Sequence, residues 1–238
     1  MIDIKVIGSG SSGNCYLVNI NNTKILLEAG LPFKKIQQAL KFRLFDIEAC
    51  LVTHEHMDHA KAVKDLIKAG VDCYMTKGTA ESLGLKSHRL NILERVDEDY
   101  KAVKINDLLI KPFEAVHDVA EPVSFYIKDY DTKERLVFIT DSAYLKYKIP
   151  ANDYLLIECN YIKEVIDENS QNGTLNVNLR NRIVKNHMSL ETLLEALREM
   201  NLEKLKKIYI LHLSDNNSDE KRIYDEVKKV YKGEVIIC

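Results

Sequence analysis

The chain has 238 residues, of which 46% are hydrophobic and 29% are charged. This composition is typical of a folded globular protein, and it excludes a disordered, collagen-like or coiled-coil chain. Lysine and arginine number 34 against 36 aspartates and glutamates, a net charge of −2. Overall charge therefore gives no indication of nucleic-acid or membrane binding, and any basic surface must be local.

The sequence predicts a cytoplasmic protein that does not bind membranes. No segment approaches ~18 consecutive apolar residues, and the first residues lack the basic, apolar and small-residue order of a signal peptide. The five cysteines are widely spaced and contain no CxxC pair: Cys15, Cys50, Cys73, Cys159 and Cys238. We expect reduced thiols, mostly in the core, rather than a disulfide framework or a thiolate zinc site.

The first half of the chain reads as strands followed by short helices. Alternating β-branched and aromatic residues predict strands at 2–7, 15–20, 25–28 and 49–53. Helical periodicity predicts helices at 33–41 and at 60–69, the second ended by Gly70. Further strands are predicted at 103–105, 108–110, 123–127, 136–139 and 154–157.

The last third is predicted to be mostly helical. The predicted helices are 174–186, 190–200 and 218–231, and the predicted strands are 207–213 and 234–237. Ser189 is the expected N-cap of the second helix, with Glu191 in its first turn. Because the chain has no repeat and no linker, we expect one domain over residues 1–238, with helices packed outside a mixed sheet.

Three early glycines resemble a nucleotide-binding motif. Gly8, Gly10 and Gly13 match G-x-G-x-x-G, and Glu28 lies near the spacing of the acid that binds the ribose. Such a site needs a helix after the third glycine, yet Gly13 is followed by Asn14 and a strand pattern. We therefore expect no nicotinamide cofactor, and we interpret the glycines as a tight turn that lets backbone approach another group.

A histidine-rich loop is the strongest chemical signal. Residues 53–59 read THEHMDH, which places His54, His56, Asp58 and His59 between a buried strand and a helix. Imidazole and carboxylate groups suit zinc, manganese or iron, and a loop lets alternating side chains converge. The HExxH pattern of zinc proteases is not met, because Asp58 stands where its second histidine would. The loop predicts metal binding.

Other metal ligands are expected at strand ends, because one loop can hardly complete two metal sites. His117 follows an apolar segment, Asp141 follows LVFIT, and His212 ends the strand IYIL. Each residue alone is ambiguous, since histidines at strand ends also occur without a metal. Together with the loop they match two cations about 3.5 to 4 Å apart, bridged by a carboxylate and a hydroxide.

This order of ligands resembles the metallo-β-lactamase superfamily. Seven segments are similar to the YycJ/WalJ-type single-domain nuclease branch and, more distantly, to ribonuclease Z: GSGSSGN (8–14), HEHMDH (54–59), VHDVAEP (116–122), TDSAY (140–144), ECN (158–160), NHMS (186–189) and LHLSDNN (211–217). The resemblance implies an α+β fold, an αβ/βα sandwich of two mixed β-sheets flanked by helices, with the metals along one edge.

The resemblance also implies the roles of the site residues. One metal would take His54, His56 and His117, the other Asp58, His59 and His212, with Asp141 bridging. Asp58, Glu158 and His187 would form the catalytic set: a hydroxide between the metals attacks a phosphodiester phosphorus, and protonated His187, oriented by Glu158, protonates the leaving oxygen. The metals are expected to be zinc or manganese, and iron also suits these ligands.

Candidate substrate-binding residues fall on two polar segments: Ser11, Ser12 and Asn14, and Arg180, Arg182 and Lys185. The three cations precede His187, where either phosphate contacts or a solvated helix face would explain them. The first segment either donates hydrogen bonds to a phosphate or caps the glycine turn.

Two residues depart from the family pattern. Glu28 stands where the superfamily usually has aspartate, and we expect it to hydrogen-bond the metal loop rather than the metal. Tyr161 stands where YycJ-type sequences tend to have a histidine. Both replacements bear on substrate and efficiency more than on metal binding.

We therefore expect a two-metal phosphodiesterase acting on nucleic acid, with DNA favoured over RNA and a 5′–3′ exonuclease as the leading hypothesis. Two enzymatic alternatives remain: an RNA-processing endonuclease of the ribonuclease Z kind, and a hydrolase of small esters, lactones or cyclic nucleotides. A catalytically silent nucleic-acid-binding protein is the alternative outside enzymes.

Overall fold

The computed structural model describes residues 2–238. The chain divides into two compact units. Unit 1 consists of residues 2–114 and Val119–Arg135, and unit 2 consists of Ala115–Asp118 and Leu136–Cys238. The expectation of a single domain over 1–238 stays a prediction.

Unit 1 contains most of the strands. Its elements are β1 (Ile2–Gly8), β2 (Cys15–Ile20), β3 (Thr23–Leu27), α1 (Phe33–Ala39), a 3₁₀ turn (Leu44–Asp46), β4 (Ile47–Leu51), α2 (Met57–Ala60), α3 (Val63–Lys68), β5 (Asp72–Met75), α4 (Lys77–Ser82), β6 (Leu90–Ile92), β7 (Arg95–Val96), β8 (Asp99–Tyr100), β9 (Val103–Ile105), β10 (Leu108–Glu114) and β11 (Val123–Asp129).

The first six strands of unit 1 form one mixed sheet in chain order. The pairs β1–β2 and β2–β3 are antiparallel, whereas β3–β4, β4–β5 and β5–β6 are parallel. A two-residue turn joins β2 to β3, and its Asn21 and Asn22 have φ of 45° and 71°. Asparagine tolerates this left-handed conformation, which the tight hairpin turn requires. Strands β9, β10 and β11 pair antiparallel, as do β7 and β8.

Short helices bury one face against the mixed sheet of unit 1. Ile36 of α1 and Leu66 of α3 belong to a core cluster with Leu26, Cys50 and Cys73 of the strands, all fully buried. The five cysteines are free thiols, and four of them are buried. The expectation of reduced, mostly core cysteines is confirmed.

Unit 2 alternates strands and helices. Its elements are β12 (Arg135–Ile139), β13 (Tyr154–Glu158), α5 (Lys163–Gln171), α6 (Val177–Asn186), α7 (Leu190–Glu199), β14 (Lys207–Leu211), α8 (Glu220–Val230) and β15 (Glu234–Ile237). The four strands pair parallel in chain order. Their near-continuous apolar sequences are typical of parallel strands that helices cover on both faces.

Helix α7 begins and packs as its sequence predicts. Its N-cap Ser189 accepts a hydrogen bond from the Thr192 backbone N–H at 3.1 Å. The buried residues of α7 recur at helical spacing on one face: Leu190, Leu193, Leu194 and Leu197.

The predicted single helix at 60–69 is wrong. The structure has two short helices, α2 and α3, with Ala62 between them at φ −98° and ψ 6°. The Ala62 N–H donates to the Ala29 carbonyl at 2.8 Å instead of continuing the helical ladder. A tertiary hydrogen bond thus divides a segment whose apolar periodicity is continuous. Helices α4 and α5 were not predicted.

Within residues 2–238, no helix combines the length and the apolar character needed to cross a membrane.

Candidate metal centre

Backbone contacts within unit 1 fix the histidine-rich loop. The Asn14 N–H donates to the Asp58 carbonyl at 2.7 Å, and the Ala29 N–H donates to the His59 carbonyl at 2.8 Å. A Cβ atom on Gly30 would lie 1.6 Å from the Asp58 carbonyl oxygen, and one on Gly13 would lie 2.5 Å from the Gly30 carbonyl oxygen. The backbone at Gly13 therefore packs against that of Gly30, and the backbone at Gly30 packs against the histidine-rich loop at Asp58. This agrees with the interpretation of the glycines as a turn that lets backbone approach another group.

His54, His56, Asp58 and His59 form the unit 1 cluster. His54 Nε2 lies 3.1 Å from His56 Nδ1, and His59 Nε2 lies 3.3 Å from Asp58 Oδ2. Two ligand atoms on one tetrahedral zinc, with bonds of 2.0–2.1 Å, lie about 3.3 Å apart. Each pair thus has the spacing of two atoms that share a cation, so the cluster fits a metal.

Asn14 is fully buried and contacts this cluster. Its side chain is fully buried, and its Oδ1 accepts hydrogen bonds from the Gly10 N–H at 2.9 Å and the Tyr16 hydroxyl at 3.1 Å. Its Nδ2 lies 3.2 Å from His59 Nε2. The Asn14 side chain therefore ties the glycine turn to the loop, and its expected role in substrate binding stays a prediction. Ser11 and Ser12 are exposed at the tip of that turn.

Glu28 faces the same loop from the end of β3. It is fully buried, with φ of 66°, a conformation that is rare outside glycine. Its carboxylate accepts a hydrogen bond from the Thr53 N–H at 3.3 Å and lies 3.6 Å from His59 Nδ1. Burial raises the pKa of Glu28, and its contacts with His59 and Thr53 offset part of that rise. Glu28 therefore contacts the loop and one of its imidazoles.

His117, Asp141, Glu158, His187 and His212 form the unit 2 cluster. One ligand atom each from Asp141, Glu158, His187 and His212 lies within 4.8 Å of the other three. Parallel strands place Asp141, Glu158 and His212 together, since β12, β13 and β14 end at the same edge, and His187 follows the last residue of α6. Asp141 has φ of 47° and His212 has φ of 55°. Left-handed conformations at aspartate and histidine are uncommon and concentrate at functional sites.

Glu158 connects the histidines of this cluster. Its Oε1 lies 2.7 Å from His187 Nδ1 and 3.0 Å from His212 Nδ1. Its Oε2 accepts hydrogen bonds from the backbone N–H groups of Ser142 at 3.2 Å and Met188 at 3.1 Å. Burial alone would raise the pKa of Glu158, but the two histidines outweigh it and hold that pKa below its usual value. The carboxylate is therefore ionised.

The ionised Glu158 acts in turn on His187. Burial alone would lower the pKa of His187, but the charges of Glu158 and Asp141, with the hydrogen bond that His187 donates to Glu158, hold that pKa above its usual value. The His187 side chain is 18% exposed. A protonated imidazole with one nitrogen held by a carboxylate can donate its other proton to a reacting group.

His117 has the opposite charge preference. Its Nδ1 lies 3.0 Å from the Asn186 carbonyl oxygen, and its Nε2 lies 3.8 Å from Asp141 Oδ2. Burial lowers the pKa of His117, although Asp141 opposes the shift. A neutral imidazole with one nitrogen held by a backbone carbonyl is the usual form of a metal ligand. His117 therefore fits a metal.

The three predicted substrate-binding cations of α6 have different surroundings. Arg180 donates to Asp167 at 2.6 Å, and Lys185 pairs with Asp118 at 3.1 Å. Arg182 is exposed. Arg180 and Lys185 therefore already have carboxylate partners within unit 2.

Sequence reasoning missed several residues that hold the two clusters. Thr53 Oγ1 lies 2.9 Å from His54 Nδ1, and Asn160 Nδ2 donates to the His212 carbonyl at 2.9 Å. Asn186 contacts His117 and also accepts a hydrogen bond from the Asp118 N–H at 3.1 Å. Asn160 and Asn186 lie in the segments ECN and NHMS, next to predicted site residues, and that adjacency is the signal that could have found them.

Comparisons with known proteins agree with this site. The model of a beta-lactamase superfamily domain matches residues 23–212. Exodeoxyribonuclease WalJ of Streptococcus pneumoniae is 31% identical over 230 residues, covering 90% of this chain and 82% of that protein. Exodeoxyribonuclease YycJ of Bacillus anthracis is 27% identical over 237 residues, covering 92% and 85%. The metallo-beta-lactamase fold protein YhfI from Bacillus subtilis has a TM-score of 0.74 at 20% identity, covering 100% of this chain and 96% of YhfI.

Mixed sheets flanked by helices and histidine–carboxylate clusters define a metal-dependent hydrolase of the metallo-β-lactamase fold. The chain belongs to the beta-lactamase superfamily. The resemblance, the fold class and the enzyme class predicted from the sequence are confirmed.

Proposed function

We propose that the chain is a two-metal phosphodiesterase that hydrolyses DNA as an exonuclease of the 5′–3′ type. The observation that carries the proposal is the pair of His187 and buried Glu158 at 2.7 Å, in a cluster that also contains the metal-ligand types Asp141 and His212. The names of the WalJ and YycJ relatives support DNA as the substrate. Residues 1–238 act as a single hydrolase domain in this proposal.

The proposed ligand set follows the family pattern. One metal would be held by His54, His56 and His117 and the other by Asp58, His59 and His212, and Asp141 would serve both. Two spacings in unit 1 support this division, since His54 and His56 form one close pair and Asp58 and His59 the other. Nitrogen and oxygen ligands suit zinc or manganese, and also iron. Such cations supply a nucleophile at neutral pH and neutralise charge on the phosphate oxygens.

We assign proton transfer to His187 and Glu158. Glu158 holds His187 at Nδ1 and keeps it protonated, so that Nε2 can donate a proton to the leaving oxygen of the phosphodiester. Acid catalysis of this kind contributes about 10²–10⁴-fold to a rate. Asp58 serves as both metal ligand and member of the catalytic set.

The test is a cleavage assay with end-labelled DNA, single- and double-stranded, and a structured RNA, using zinc-loaded and manganese-loaded protein separately. We expect early release of a 5′ label and stepwise shortening of 3′-labelled DNA, both abolished by His187→Ala. The matched control is His88→Ala, because His88 is an exposed histidine outside both clusters. Intact DNA with both metals would contradict the proposal, and single-site cleavage of RNA alone would indicate an RNA-processing endonuclease.

A further inference from the structure

An exposed aromatic and basic segment follows the unit 2 cluster directly. Residues 140–153 connect β12 to β13 without forming a helix or strand. Connections longer than about 12 residues without regular structure are uncommon, and they are frequently functional. Tyr144 is 53% exposed and Tyr147 is 42% exposed, and Lys146 and Lys148 are also exposed. We call Tyr144–Lys148 the aromatic loop.

Buried residues and a hydrogen bond hold the backbone of the aromatic loop in place. Ile149 after it is 7% exposed, and Leu145 within it is partly buried. Ser142 fixes its start, because the Ser142 hydroxyl donates to the Tyr144 carbonyl at 2.9 Å. The Ser142 N–H also donates to Glu158 at 3.2 Å. The same residue therefore holds both the aromatic loop and the carboxylate that orients His187.

The aromatic loop lines a cavity with one face of α7. The cavity has a volume of about 580 Å³ and is lined by Tyr144, Tyr147 and Lys148 from the loop and by Thr192, Glu195 and Glu199 from the helix. Binding sites for small molecules are usually of about 300–1,000 Å³. The helix residues recur at helical spacing on the face of α7 opposite its buried leucines. The cavity is therefore large enough for one nucleotide.

The chemistry of the lining matches a nucleotide in a strand. Tyrosine rings stack on any base, and lysines pair with phosphates, which is the common pattern of proteins that bind single strands. Glutamates would repel phosphate, but they accept hydrogen bonds from base amino groups, as from the N4 amino group of cytosine. The cavity thus presents aromatic rings that can stack on a base and carboxylates that can accept hydrogen bonds from it. The lysines of the loop can pair with the phosphates of the strand.

We infer that the aromatic loop and the facing side of α7 form a subsite that holds one nucleotide of the substrate strand close to the scissile phosphodiester. This inference rests on the proposed function. Chain geometry supports the location, because two residues separate Tyr144 from Asp141 and the two Cα atoms lie at most about 11 Å apart. Stacked B-form DNA has a phosphate every 3.4 Å or so along one strand, and that distance spans about three phosphates.

Tryptophan fluorescence tests the stacking directly, because the chain contains no tryptophan. Tyr144→Trp and Tyr147→Trp are made in metal-loaded His187→Ala protein and titrated with a single-stranded oligodeoxynucleotide. We expect quenching in both variants. The matched control is Tyr130→Trp in unit 1, where Tyr130 is 40% exposed. Lys104 Nζ lies 5.7 Å from the Tyr130 ring centroid, much as Lys146 Nζ lies 5.8 Å from that of Tyr147. No quenching is expected there, and equal quenching at all three positions would overturn the inference.

Affinity gives the second readout. In fluorescence anisotropy, the double variant Tyr144→Ala with Tyr147→Ala should bind the oligodeoxynucleotide about 5- to 150-fold more weakly for each stacked base that is lost. The double variant Tyr144→Phe with Tyr147→Phe should bind it as the unmodified protein does. Lys146→Gln with Lys148→Gln should reduce the slope of log affinity against log salt by about 1.4. The double variant Tyr130→Ala with Lys104→Gln should bind as the unmodified protein does.

The outcomes separate this inference from the proposed function. If the unmodified protein degrades DNA and the aromatic-loop variants bind it equally well, the inference is wrong and the proposed function stands. If the tryptophan variants are quenched but the unmodified protein leaves DNA intact, the subsite stands and the proposed nuclease activity is wrong. If the oligodeoxynucleotide neither binds nor quenches, the inference is overturned.

Discussion

The unit 1 cluster and the unit 2 cluster use the same two side-chain types but support their histidines differently. In unit 1 neutral groups contact two of them: the Thr53 hydroxyl lies 2.9 Å from His54, and the Asn14 amide lies 3.2 Å from His59. The buried carboxylate of unit 1, Glu28, lies 3.6 Å from His59. In unit 2 a buried carboxylate, Glu158, lies within 3.0 Å of both His187 and His212. The two clusters therefore differ in how closely a fully buried carboxylate approaches the imidazoles.

Within unit 2, the presence or absence of such a close carboxylate determines what each imidazole can do. An ionised carboxylate raises the pKa of His187 and gives it a proton to donate, whereas burial beside a backbone carbonyl lowers the pKa of His117. A neutral ring binds a metal, and a charged ring acts as an acid. A mixed set of histidines can thus divide the two tasks without any change in residue type.

Removing the Glu158 charge should strongly reduce the rate of hydrolysis. We expect Glu158→Gln to reduce the rate of DNA hydrolysis by about 10²–10⁴-fold, because His187 loses the partner that orients and charges it. A phosphodiester with an activated aryl leaving group needs no proton from His187, so its hydrolysis should fall much less. The comparison of the two substrates in initial-rate assays is the measurement.

The matched control for that variant is Glu121→Gln in unit 1. Glu121 also accepts hydrogen bonds from a backbone N–H, that of Gly78, and from a hydroxyl, that of Tyr100, but it has no histidine partner. Its substitution should leave the ratio of the two rates unchanged. Equal losses on both substrates in Glu158→Gln would contradict a role in proton donation.

Metal removal tests the histidines that we propose as metal ligands. We expect chelation to abolish hydrolysis and to lower the free energy of unfolding by about 3–4 kcal/mol, the linkage expected at a metal concentration 100 to 1,000 times the dissociation constant. Calorimetry with and without chelator measures it. His54→Ala should shrink the metal-dependent shift in melting temperature, whereas His88→Ala should preserve it. A shift unaffected by His54→Ala would place the metal elsewhere.

Gly30→Ala tests the backbone stack under the unit 1 cluster. A Cβ there would lie 1.6 Å from the Asp58 carbonyl oxygen, so the loop must move or the chain must unfold. We expect a loss of about 3 kcal/mol in urea unfolding, at the upper end of overpacking costs. Gly84→Ala is the control, because nothing lies within 4 Å of its added Cβ and only its φ of 61° opposes the change. Similar losses in both variants would show that crowding at Asp58 is not the cause.

The sequence predicts the ligand types of the site better than the contacts that organise them. HEHMDH is local, so it can be found in the sequence, and the strand-end positions of Asp141 and His212 follow from apolar runs. The convergence of Gly13, Gly30 and Asp58 depends on contacts between distant segments, which no local pattern encodes.

The helices show the same limit. Ser189 is found because an N-cap is a local hydrogen bond. The break at Ala62 is missed because its N–H bonds to Ala29, far away in the chain. Left-handed residues such as Glu28 are missed for a related reason, since tertiary structure imposes a conformation that the residue type disfavours.

The smallest predicted effect concerns the contribution of a unit 1 carboxylate, Asp129, to the free energy of unfolding. Asp129 in unit 1 is held by the hydroxyl and N–H of Thr132 and by the N–H of Asp131, with no histidine. Burial alone would raise the pKa of Asp129, but these hydrogen bonds hold it below its usual value. A lowered pKa stabilises the fold above the unfolded-state value, near 3.9, and that contribution is lost as pH falls through the folded-state value.

We therefore expect Asp129→Asn to cost about 1 kcal/mol at pH near 7, the scale of one hydrogen bond, and less under acid conditions below the unfolded-state pKa. Urea unfolding of chelator-treated protein at both conditions is the measurement, so that metal release at low pH does not contribute. Asp107→Asn is the control, because Asp107 is an exposed aspartate of the same unit whose backbone carbonyl accepts a hydrogen bond from the Tyr130 N–H. A loss independent of pH would show that the shape of the turn, and not the charge of Asp129, stabilises this part of unit 1.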